Sequence, residues 1–181
     1  MSRQGINKVI KPSISKDAYV AKGVRILGDV EVAEGCSIWF NAVIRGDEGK
    51  IIIGPGTNVQ DNAVIHSDMG TNVLIGRNVT IGHGAIVRSC VIGDNVMVGM
   101  NSTIMSHAEI GENSIIGANS FVAYNSKFPS GSLILGSPAR LVRKLGKDEI
   151  KANSLAISVY RDLVHKYRKG EILGLDDANF R

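Results

Sequence analysis

The sequence is poor in cysteine, in aromatic residues and in long apolar runs. Two cysteines, Cys36 and Cys90, are too few for a disulfide framework and are not spaced as a zinc motif. No run approaches the roughly eighteen consecutive apolar residues of a membrane helix. The first residues, Met1 to Lys8, lack the apolar stretch of a secretory signal. The expected setting is therefore cytoplasmic, with both thiols free. Charge is also nearly balanced, with 21 Lys+Arg against 17 Asp+Glu. The small basic excess falls within residues 140–181 and accompanies no nucleic-acid-binding motif. Neither nucleic acid nor a membrane is an expected partner. With 44% hydrophobic and 21% charged residues, the 181-residue chain has the composition of one folded domain.

Scarce aromatics (5%) beside 21 glycines direct attention to internal repeats. From Ile14 to Val122, eighteen positions start successive six-residue units, and every one is Val or Ile. Gly often follows, as at Gly54, Gly76, Gly82, Gly93, Gly99, Gly111 and Gly117. A period of six with β-branched residues in register means short strands joined by tight corners, with the β-branched side chains inward. Gly and Asn suit the bends, where φ is unusual. Three such strands make one triangular coil. The frame breaks only after Ile44, Ile65 and Val87, always in the third unit of a coil. About six coils are expected from Ile14 to Lys127. The predicted organisation is an N-terminal segment (1–13), a parallel β-helix domain (14–140) and a C-terminal helix with tail (141–181).

Residues 147–169 read as that helix. An apolar stripe of Ala152, Ala156, Val159, Leu163 and Tyr167, with Leu155 alongside, is expected to pack on a prism face. Asp148 and Glu149 near its start and Lys166, Arg168 and Lys169 near its end suit the helix dipole.

Alternation along a strand locates the chemistry. If Ile44, Ile65 and Val87 point inward, then Arg45, His66 and Arg88 point outward and stack in three successive coils. His83 falls near the corner before that face, with Gln60 and Asp61 at the equivalent place one coil earlier. Such a polar cluster on the outside of a prism makes sense if a second subunit covers it.

Several segments now carry a resemblance. They are Ile38-Trp-Phe-Asn-Ala-Val-Ile-Arg-Gly-Asp47, Thr57-Asn-Val-Gln-Asp-Asn62, Val64-Ile-His66, Val79-Thr-Ile-Gly-His-Gly84 and Leu135-Gly-Ser-Pro-Ala-Arg140. Together they resemble the γ-class carbonic anhydrase family of hexapeptide-repeat proteins. That resemblance implies a left-handed β-helix, which periodicity alone does not, and a homotrimer. It also implies a zinc or other divalent metal between two subunits, held by three histidines, two from one chain and one from its neighbour. His66 and His83 match two of those positions. Arg45, Asp47, Gln60 and Asp61 match family residues that organise the interface and the site, Gln60 as a candidate catalytic group. The family places the third histidine five residues after the position of His83, where this chain has Arg88. Arginine stays protonated and has no lone pair for a metal.

The family chemistry is attack of zinc-bound hydroxide on carbon dioxide. Its proton-shuttling loop is short here, Asp47-Glu-Gly-Lys50, which leaves Glu48 as the candidate proton carrier. His107 sits toward a different corner, His165 reads as a helix surface residue, and Cys90 as a small buried one. The expected function is thus a γ-carbonic-anhydrase-like trimer with a degenerate metal site and weak or absent hydration. An acyl-CoA-dependent transferase with an interface histidine as general base stays open. So does a non-catalytic scaffold binding a small bicarbonate-like anion through Arg45 and Arg88.

Overall fold

The computed structural model of the protein describes residues 9–174. Most of the expected N-terminal segment, residues 1–8, and the end of the tail, 175–181, lie outside the described residues. Within them the six-residue frame becomes a parallel β-helix with three faces. On the first face the ladder runs Ile14, Val32, Ile53, Ile75, Ile92, Ile110. The second runs Val20, Ile38, Val59, Ile81, Val98, Ile116. The third runs Ile26, Ile44, Ile65, Val87, Ile104, Val122. Each rung pairs with its equivalent in the next coil, so the inward β-branched side chains stack directly. From Val32 to Val122 these positions are at most 3% exposed. From Val32 to Val122 the inward column is thus built of Val and Ile alone.

The corners explain the Asn and Gly content. Asn41, Asn62, Asn78, Asn95, Asn101, Asn113, Asn119 and Asn125 all lie at φ between 52° and 59°. This is the left-handed region that Asn tolerates best among residues with a side chain.

The helix runs further than the expected six coils. Lys127–Phe128 adds to the first face and Ser132–Gly136 to the second, giving about seven turns. The segment that leaves the coils is a hairpin. Ser132–Gly136 folds back through a cis Ser137–Pro138 bond onto Ala139–Lys144, pairing antiparallel.

The C-terminal helix spans Lys147–Arg168. Gly146 N–H donates to Glu149 Oε2 at 2.9 Å, and Arg143 grips the same carboxylate with two bonds of 2.8 Å. This holds the Glu149 carboxyl down to about 2. The helix packs on the second face by only part of the expected stripe: Ala156, Leu163 and Tyr167 are half-buried, but Ala152 and Val159 are exposed. Asn153 and Ile157 are buried and Tyr160, Val164 and Tyr167 are half-buried, whereas Leu155 and Val159 are 59% and 55% exposed. The reason lies in the outward residues of that face. Ser37, Asn58 and Thr80 form a buried polar ladder, and backbone carbonyls of later coils take the Asn153 amide. Asn153 Nδ2 donates to the carbonyls of Asn95 (3.1 Å) and Ser114 (3.4 Å), which fixes the helix on the coils. Tyr160 and Tyr167 pack edge-on to Trp39, with centroids 5.3 and 5.5 Å away. No helix among the described residues is long and apolar enough to cross a membrane.

Candidate metal centre

The third face brings Arg45, His66 and Arg88 into register in consecutive coils, in line with strand alternation. His66 is anchored at both ring nitrogens. Nδ1 donates to the Arg45 carbonyl at 2.9 Å, which leaves the Nε2 lone pair outward. Arg45 Nη2 donates to that Nε2 at 3.2 Å. Arg45 also reaches Asp47 at 2.6 Å and holds its carboxyl below the usual range. Glu48 Oε2 stands 3.8 Å from His66 Nε2.

Arg88 is committed elsewhere. Its Nε and Nη2 donate to Asp68 Oδ1 at 2.8 and 2.5 Å. Ser106 Oγ donates to Asp68 Oδ2 at 2.7 Å. The Ser106 hydroxyl first, and the Arg88 guanidinium second, depress the Asp68 carboxyl. Asp68 sits in the excursion from Ser67 to Asn72, where strand alternation gives no guidance, so sequence reasoning missed it. Ligand atoms of Glu48, His66 and Asp68 lie within 4.8 Å of one another, a donor set able to approach one cation.

His83 lies at the corner between the second and third faces. Its Nδ1 donates to Asp61 Oδ2 at 2.7 Å, since a carboxylate only accepts. Its Nε2 therefore carries the lone pair, and the Tyr160 hydroxyl donates to it at 3.3 Å. Burial, with help from the Asp61 charge, raises the Tyr160 phenol, so the hydroxyl keeps its proton. Gln60 is buried. Its Oε1 accepts from the His83 backbone N–H at 3.1 Å, and its Nε2 donates to Asn58 Oδ1 at 3.1 Å. Asn58 in turn donates to Thr80 Oγ1 at 2.9 Å. In this chain Gln60 thus faces the polar ladder beneath the helix and supports the His83 corner. Tyr160 was missed because the expected apolar stripe passed through Val159, which is exposed, in its place.

Of the other candidates, His107 occupies a corner at φ 63° and its N–H binds the Ser89 carbonyl, and it is not one of the Glu48, His66 and Asp68 group. His165 is exposed on the helix. Cys36 and Cys90 are buried and free, with burial pushing their thiols up to about 11 and about 12.

The geometry bears directly on a metal. Both imidazoles hold the proton on Nδ1 against a fixed acceptor and present Nε2, the arrangement that orients histidine ligands in metal sites. Two donors therefore fit. The third imidazole position, held by Arg88, does not, while the carboxylates of Glu48 and Asp68 lie beside His66. A set of two imidazoles and a carboxylate is an accepted ligand set for zinc.

Known proteins are similar to this chain. Residues 89–123 match the bacterial transferase hexapeptide (six repeats) profile. A protein of Methanocaldococcus jannaschii described as "Probable carbonic anhydrase" is 53% identical over 139 residues, covering 77% of this chain and 87% of that one. Gamma carbonic anhydrase 1, mitochondrial, of Arabidopsis thaliana is 36% identical over 162 residues, and the match covers 86% of this chain but only 59% of the plant protein. The crystal structure of a hexapeptide transferase family protein from Anaplasma phagocytophilum superposes with a TM-score of 0.84 at 38% identity, covering 87% of this chain and 93% of that one. With its in-register Val/Ile coils and its paired Nε2-presenting histidines, the chain belongs to the γ-class carbonic anhydrase-like family of hexapeptide-repeat proteins.

Proposed function

We propose that the protein is a trimeric γ-carbonic-anhydrase-like protein whose metal position lies between subunits and is degenerate, so that carbon dioxide hydration is weak or absent. The observation that carries this reading is the matched state of the two histidines. Within one chain His66 neighbours Arg88, whereas His83 stands at a separate corner with its own acceptor, Asp61. His66 of one copy and His83 of the next would supply two imidazoles. Glu48 or Asp68 would supply a carboxylate in place of the imidazole that Arg88 displaces. Zinc or another divalent transition metal bound there would act as a Lewis acid and make water nucleophilic near neutral pH. Asp61 and the Arg45 carbonyl hold the imidazoles in the ligating tautomer. Gln60 holds the His83 backbone. With Asp68 as the ligating carboxylate, Glu48, 3.8 Å from His66 Nε2, would serve to move a proton. Arg45 and Arg88 draw small anions such as bicarbonate to the boundary. The surplus positive charge of Arg88 is offset by Asp68, and this lowers its penalty on a cation.

The test is stopped-flow hydration of carbon dioxide by metal-loaded and chelator-stripped protein. Slow but metal-dependent turnover, abolished by His66→Ala, supports the reading. Turnover that survives stripping contradicts it.

The Asp61–His83 dyad also favours a second reading. A histidine fixed at Nδ1 by a carboxylate is a general base, as an acyltransferase needs, and a solved relative is assigned to the hexapeptide transferase family. Acetyl-CoA raising the thermal midpoint would support this reading, and no shift at saturating acetyl-CoA would remove it.

A further inference from the structure

We propose that Tyr160 is a positioning residue that competes with the metal for the Nε2 lone pair of His83, and so sets how tightly the boundary site holds its ion. This rests on the metal reading above. Asp61 occupies Nδ1, so Nε2 is the only ring nitrogen His83 can offer. The Tyr160 hydroxyl already engages it at 3.3 Å, from 77 residues away in sequence. A metal ion and a hydroxyl proton cannot share one lone pair. Metal binding at His83 must therefore break this bond.

Tyr160 is not free to drift away. Its ring packs edge-on to Trp39 at 5.3 Å. One residue on, Arg161 Nη2 donates to Asn78 Oδ1 at 3.0 Å, and seven residues back Asn153 ties the helix to Asn95 and Ser114. The hydroxyl is thus presented to His83 by a helix held at several points. The competition has the size of one neutral hydrogen bond, which corresponds to about two- to tenfold in a dissociation constant. Trp39 is the only tryptophan of the chain, so its emission reports on the Tyr160 ring it touches.

The experiment compares the full-length wild type with Tyr160→Phe and Tyr167→Phe. Zinc affinity is read by competition with a chromophoric chelator, and Trp39 emission is followed in the same titration. Tyr160→Phe keeps the ring and removes the hydroxyl. Tyr167→Phe does the same at the other ring edge-on to Trp39, and serves as control. The expected result is zinc binding about two- to tenfold tighter in Tyr160→Phe alone, with the metal-free variant still folded and melting cooperatively. Nitrogen NMR of the metal-free protein should show the His83 Nε2 resonance moving in that variant. Equal or weaker zinc binding by Tyr160→Phe overturns the proposal, as does equal tightening in Tyr167→Phe. Those outcomes leave wild-type binding, and the metal reading, intact. Zinc binding to neither wild type nor Tyr160→Phe overturns both.

Discussion

Replacing Arg88 by histidine should turn a poor metal site into a good one. Arg88 pairs in register with His66, so the new imidazole would stand one strand away, about 4.8 Å along the sheet. The change removes a cation from the site and adds a lone pair. Loss of a group that merely orients a ligand costs about 10- to 100-fold in metal affinity. Gain of a ligand should exceed that, so zinc affinity should rise at least about 100-fold. The cost to the fold is small. The Arg88–Asp68 pair is partly solvent-exposed, and such pairs contribute at most about 1 kcal/mol. Asp68 keeps its bond from Ser106 Oγ at 2.7 Å, so the excursion beside His66 stays anchored. Chelator competition gives the affinity, and stopped-flow hydration gives the rate, which should rise in parallel. Unchanged zinc affinity in Arg88→His, with the protein folded, would refute the idea that this residue is what the site lacks.

Other consequences concern the scaffold. Ile81→Ala, at a fully buried rung between Val59 and Val98, should cost about 2–5 kcal/mol in urea unfolding, and a loss below about 1 kcal/mol would contradict direct stacking of the core. Cys36 and Cys90, raised to about 11 and about 12 by burial, should resist a thiol reagent at about pH 8 until the protein unfolds; rapid labelling of the native protein would contradict their burial. The Asp94 carboxyl is held below its usual 3.8, first by the Arg77 backbone N–H and then by the Arg77 guanidinium. A depressed carboxyl stabilises the fold above its unfolded pKa, and that contribution fades as pH falls through the folded value. Asp94→Asn should therefore weaken the protein at neutral pH and leave it unchanged in strong acid; equal weakening at both pH values would contradict the assignment.

The Val/Ile frame was legible because each coil repeats the same physical demand. One inward β-branched residue and one left-handed corner recur every six positions, and the register of all three faces follows. The outward row of Arg45, His66 and Arg88 was legible for the same reason, since alternation needs only the strand. The seventh turn was obscured because Phe128 breaks the β-branched rule, although Phe128 and Ile134 keep the spacing. The full inward face of the helix was obscured because it includes Asn153 and Tyr160. Asn153 bonds backbone carbonyls of the coils and Tyr160 bonds His83, contacts that hydrophobic periodicity does not register. Asp68 was hidden by the loop that carries it, and its partners Arg88 and Ser106 come from the next two coils.

The central claim is a metal bound jointly by His66 of one subunit and His83 of another. Elemental analysis of the purified protein, with its mass in solution determined by light scattering, tests it most directly. A trimer with about three metal ions, one per subunit boundary, is expected, with the metal lost in both His66→Ala and His83→Ala while the trimer persists. A metal-free trimer, or one that keeps its metal after either substitution, would contradict it.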